Sequence, residues 1–116
     1  MISLQQAQFA LEAAISNRDD VFVSASANAD EYFESLERDL RSSLCEPFSV
    51  SAQVMAPGFP FAEVGESIEG FCIAHARGYW LVYQPAEERF LCFWGESASN
   101  LGAHGVFGTP LGCWAA

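Results

Sequence analysis

The chain has no lysine. Its cationic side chains are five arginines, Arg18, Arg38, Arg41, Arg77 and Arg89, set against fifteen Asp and Glu, so the formal net charge is −10 and the pI is near 4.3. A surface of that sign repels phosphate backbones, which argues against nucleic acid as a direct partner and makes any macromolecular partner a basic one. Solubility alone is the plainer use of such charge. Long apolar runs are also missing: nothing approaches the ~20 consecutive apolar residues that a membrane-spanning helix needs. The opening stretch MISLQQAQFALEAAISNRDD carries no basic leader and no small-residue cleavage site after an apolar run. The expectation is a soluble, cytoplasmic protein with no membrane partner.

Clustered metal ligands and nucleophile motifs are lacking as well. Cys45, Cys72, Cys92 and Cys113 include no CxxC pair, so they form neither a disulfide framework nor a zinc ribbon. They read as small buried apolar side chains, a description that suits Cys45, beside a turn, less well than the others. Cys72 and His75 have CxxH spacing, but on a regular strand residues three apart face opposite sides of a sheet. His104 is the one other imidazole, so no metal and no cofactor is expected. Cys92 or Cys113 beside His75 or His104 is the only thiol and imidazole arithmetic available, with no GxSxG elbow to mark a nucleophile. Glu87 and Glu88 sit in a turn and are unmarked as an acid and base pair. The glycine-rich GAHGVFG, Gly102 to Gly108, lacks the lysine of a phosphate loop. The reading is not an enzyme.

What is present is apolar surface, 51% of the residues with 14% aromatic, enough for one domain over residues 1–116. Ser3 followed by Gln6 is a capping box, and Leu4, Ala7, Leu11, Ala14 and Ile15 recur at helical spacing, predicting a helix from Leu4 to about Ser16. The run Val21 to Val23 is left open between a helix extension and an edge strand. Asn28 before Glu31 starts a second helix, Ala29 to about Leu44, with Phe33, Leu36, Leu40 and Leu44 on one face. Glu31 and Glu34 lie on its acidic opposite face, where Glu34 with Arg38 and Glu37 with Arg41 are favourable i,i+4 pairs.

After a turn at Glu46-Pro47 the period changes to two: Phe48, Val50, Ala52 and Val54 alternate with polar residues in a half-buried strand. Ala56 to Glu66 is a Pro/Gly loop. The runs Ile68 to Ala76, Tyr79 to Tyr83 and Arg89 to Trp94 then read as a meander, apolar on both faces, which implies a sheet covered by helices on one side and by loops or a second protein on the other. The tail predicts a glycine-shaped loop ending in a short strand near Leu111 to Trp114. The fold class is therefore α+β, with two N-terminal helices packed on a C-terminal antiparallel meander of four to five strands.

The loop residues Phe59 and Phe61, beside Glu63, Glu66 and Glu69, combine aromatic anchors with negative charge, the composition of a patch that meets a basic protein. With Glu31 and Glu34 they are the candidate partner-binding residues. The competing expectation is that the loop folds back and both rings plug the sheet edge.

The stretch GYWLVYQPAEERFLCFWG, Gly78 to Gly95, resembles a hairpin of the small acidic immunity proteins that neutralise bacterial antagonistic toxins, a likeness shared by size, charge and element order. The resemblance implies a stoichiometric complex, by a monomer or homodimer, that blocks a basic toxin or effector. Two alternatives stay open: an acidic secretion chaperone or adaptor, and a small-molecule binder or enzyme with His75, Tyr79, Tyr83 and Trp94 around a pocket between helices and sheet.

Overall fold

The computed structural model describes residues 3–17 and 28–115. Helix α1 spans Leu4–Ala14 and α2 spans Ala29–Ser42. Both start where the capping chemistry places them. The Ser3 hydroxyl accepts from the Gln6 N–H at 3.1 Å while the Gln6 side chain accepts from the Ser3 N–H at 2.8 Å, and the Asn28 side chain accepts from the Glu31 N–H at 3.2 Å. Two donors that a helix N-terminus leaves bare are satisfied in α1 by that exchange. Each helix ends about two residues before its expected end, and Leu44 belongs to the sheet.

Strand β1 covers Leu44–Val54, β2 Ser67–Ala76, β3 Tyr79–Gln84 and β4 Arg89–Trp94, followed by the short β5, Leu101–Ala103, and β6, Phe107–Gly108. The expected turn at Glu46-Pro47 is absent, since both residues lie inside β1. Register with β2 is irregular between Leu44 and Phe48, so the stretch that holds Pro47 is the part of the ladder that makes least use of a backbone N–H. The expected strand at Leu111 to Trp114 is helix α3, Pro110–Trp114, whose first turn is capped by Thr109 accepting from the Gly112 N–H at 3.1 Å. Threonine followed by proline is a helix-start signal, and five residues are too few for a period to reveal the helix. The undecided run Val21 to Val23 lies outside the described residues.

The sheet order β3-β2-β1-β5-β4-β6, with β3 also paired to β4, closes β1 to β5 into a ring. Antiparallel neighbours alternate in direction, so an odd-membered ring requires one parallel pair. It is β1 with β5, where Ala52 to Val54 pair with Leu101 to Ala103. Closure explains why the strands are apolar on both faces: Val50, Ala52, Val54, Cys72, Val82, Leu91, Phe93, Leu101 and Ala103 fill the ring interior, with Phe59 and Ala62 folded onto them from the loop. The second apolar face is thus covered by the sheet itself and that loop, without a second protein.

The outer face of the ring carries the helices. Ala7, Leu11, Ile15 and Leu40 pack on Ile73, Ala74, Leu81, Phe90 and Cys92, and α3 adds Leu111, Cys113 and Trp114. One carboxylate ties this layer to the sheet: Asp39 of α2 accepts from the Trp114 indole at 2.9 Å and from Arg77, at the β2–β3 turn, at 2.5 Å. Both donors, Arg77 first, hold its pKa below the usual Asp value. On the solvent side Arg41 pairs with Glu37 at 3.6 Å, as the i,i+4 spacing predicts, and also bonds Glu12 of α1. Glu34 and Arg38, the other i,i+4 pair, form no ion pair with each other.

Candidate functional site

Loop 55–66 leaves the end of β1 and returns to β2 folded over the mouth of the ring. Its base is fixed by backbone bonds, Val54 N–H to Glu66 at 2.8 Å and Gly65 N–H to Val54 at 2.9 Å, and Phe59 and Ala62 form a β-bridge at its tip. Segment 104–108 packs against it so closely that a Cβ on Gly105 would stand 2.4 Å from the Gly58 carbonyl oxygen.

The two loop aromatics are placed differently. Phe59 is buried, 7% exposed, and plugs the interior, so in this conformation it is closed to a partner; Phe61 remains 37% exposed. The two rings stack with centroids 4.9 Å apart, and Phe107 closes a three-ring cluster at 5.9 Å from Phe59 and 5.2 Å from Phe61. The Arg89 guanidinium lies 3.4 Å over the Phe61 ring, a cation–π contact held from behind by Gln84, which accepts from Arg89 Nε at 2.5 Å and donates to the Glu69 carbonyl at 2.8 Å.

Among the described residues seven large apolar side chains are exposed, and four of them, Met55, Phe61, Val64 and Phe107, stand on these two adjacent segments. Glu63 and Glu66 are exposed on the same loop and Glu69 follows it on β2, and none of them forms an ion pair with another described residue. Sequence reasoning found Phe61 and its carboxylates but missed Phe107, Met55 and Val64. Phe107 lies in the glycine-rich tail, far from Phe61 in the chain, and its place beside Phe61 depends on β6 pairing with β4 at Leu91. Glu31 and Glu34 are exposed on α2, over the outer face of the ring, and are not part of this site.

Residues weighed for other chemistry are dispersed. The register shift between Cys72 and Ala74 places Ile73 and Ala74 both on the helix side, so Cys72 and His75 share a face, contrary to the regular-strand expectation. His75 is spent against aromatic rings, stacked on Trp80 at 4.6 Å with Phe48 edge-on at 6.1 Å. His104 meets Trp94 edge-on at 5.4 Å instead. No three potential metal ligands converge among the described residues. Of the proposed pocket aromatics, Tyr79, Tyr83 and Trp94 pack on the helix-side core while His75 faces away from it. Burial, and secondarily Glu88, raises the Tyr83 pKa. A shallow, mostly apolar groove of about 610 Å³ runs between α1 and the β3–β4 turn, lined by Phe9, Ala13, Tyr83, Pro85 and Phe90 among others.

The chain matches no protein-family model, no curated protein and no solved structure.

Proposed function

We propose that this chain is a protein-binding inhibitor of the immunity type, which docks a basic toxin or effector on the face built by loop 55–66 and segment 104–108. The observation that carries the reading is the gathering of Met55, Phe61, Val64 and Phe107, exposed and adjacent, among carboxylates that form no ion pair with another described residue. Side chains of this kind, half-held by neighbours before binding, lose little freedom on docking and supply the desolvated centre of an interface. Glu63, Glu66 and Glu69 then form a rim that speeds encounter with a cationic surface. Arg89 has a supporting role, fixing the pose of Phe61 from below.

The test begins with the protein that co-purifies in equal amount with the tagged chain from its source cells, followed by calorimetry on the purified pair. A basic protein is expected, with its activity suppressed in the complex. Phe61→Asp and Phe107→Asp should each weaken binding by about 30-fold or more, the effect of losing a central anchor. Glu63→Gln with Glu66→Gln should mainly slow association and flatten its salt dependence. An acidic partner, an active complex, or wild-type affinity in both phenylalanine variants would overturn the reading.

A further inference from the structure

Two of the four thiols lie close together where the β1–β2 register shifts between Leu44 and Phe48 and the β2–β3 register shifts between Cys72 and Ala74. The Cys45 sulfur donates to the Cys72 carbonyl oxygen at 3.9 Å and the Cys72 sulfur to the Ala74 carbonyl oxygen at 3.4 Å, and Cys45 packs against the ring interior that holds Cys72. Their exposure differs: Cys45 is partly open to solvent, whereas Cys72 is fully buried beneath it in the ring interior. The other two thiols, Cys92 and Cys113, are both buried on the helix side.

We propose that Cys45 and Cys72 form a peroxide-sensitive thiol pair, in which Cys45 is the reacting sulfur and Cys72 the resolving one, so that oxidation joins β1 to β2 by a reversible disulfide. The Cys45 pKa is lowered by its interaction with the neighbouring Cys72 thiol, which favours the reactive thiolate, and that of Cys72 is raised by the same interaction and by burial. Burial alone, partly offset by a backbone hydrogen bond, pushes the Cys92 pKa up to about 12, leaving that thiol inert.

Hydrogen peroxide is small enough to reach a half-covered sulfur. The Cys45 thiolate attacks one peroxide oxygen, the O–O bond breaks and hydroxide leaves, giving a sulfenic acid. The Cys72 sulfur then attacks the Cys45 sulfur. The S–S bond forms, the S–O bond breaks, and the departing hydroxide leaves as water with the Cys72 proton. One peroxide is reduced to two waters as two thiols are oxidised to a disulfide, and an added dithiol reverses the step.

The intact protein is treated with hydrogen peroxide, its remaining thiols are blocked by alkylation, and the non-reduced digest is mapped by mass spectrometry. The expected product is a Cys45–Cys72 linked peptide pair that disappears after reduction, with Cys92 and Cys113 still alkylated once the chain is unfolded. Without Cys72, in Cys72→Ala, a dimedone adduct should accumulate on Cys45; Cys45→Ser should leave Cys72 unoxidised. Oxidation of Cys92 or Cys113 as fast as Cys45, or a Cys45 that is oxidised without linking to Cys72, overturns the proposal. Because the linkage is mapped in the unaltered chain, the outcome stands even if the Cys72 variant fails to fold.

Discussion

Asp39 concentrates more of the fold in one side chain than any other polar residue described. Its carboxylate receives Arg77 from the β2–β3 turn and Trp114 from α3, so α2, the sheet and the C-terminal helix share one acceptor. Arg77 itself is held at φ 54°, a left-handed turn conformation that sends its side chain back toward α2. Hydrogen bonds to a charged group contribute roughly 1.5–3 kcal/mol when shielded from water. This site is more than a third open, so Asp39→Asn should cost about 1 kcal/mol after solvent screening. The pH dependence follows from the lowered carboxyl pKa. Its stabilising effect is fully present above the ordinary Asp value of about 3.9 and is lost as pH falls through the lower folded-state value. Urea titrations of both proteins should therefore show a constant gap from neutral pH to about pH 4 that narrows below it. A gap that instead widens in acid would mean that Asp39 is not held ionised by these contacts.

Among the elements, loop 55–66 and segment 104–108 stand or fall together, because Gly105, at φ 92°, lets one backbone rest on the other. Gly105→Ala adds a methyl 2.4 Å from the Gly58 oxygen in a conformation that side chains rarely adopt, so the segments must separate. The expected cost is about 1–3 kcal/mol, the usual range for overpacking. Amide exchange should accelerate in residues 56–66 and 104–108 while α2 keeps its protection; a uniform acceleration would refute this local coupling. The two N-terminal helices were legible because Ser3, Gln6, Asn28 and Glu31 cap locally, and β1 because Phe48 to Val54 alternate. Closure of the ring was not, since it rests on three residues of β5 meeting β1 and β4 from far along the chain. The candidate site was half legible for the same reason. Phe61, Glu63 and Glu66 share a loop that sequence marks by its prolines and glycines, whereas Phe107 joins them through tertiary pairing alone. The bulge at Ile73 escaped notice because its sequence is as apolar as a regular strand, so nothing local announced the change of facing.

At the scale of the molecule, fifteen carboxylates and five guanidinia share one small surface. The ion pairs among the described residues join Arg41 to Glu12 and Glu37 and Arg77 to Asp39, while the formal charge of the whole chain stays at −10. Salt that screens this self-repulsion beyond ~10 Å at 0.1 M should raise the thermal midpoint between low salt and about 0.3 M sodium chloride. A midpoint that falls over that interval would mean the few pairs outweigh the repulsion. Within the ring every strand from β1 to β5 has a hydrogen-bonded neighbour on both sides, and only the two-residue β6 ends the ladder. β5 reaches β1 only at Ala52 to Val54, however, so among the described strands the part of β1 before Ala52 pairs with β2 alone and is the edge that a visiting polypeptide could extend. β3, by contrast, is flanked along its length by β2 and β4, so recognition on that stretch has to be read out by side chains.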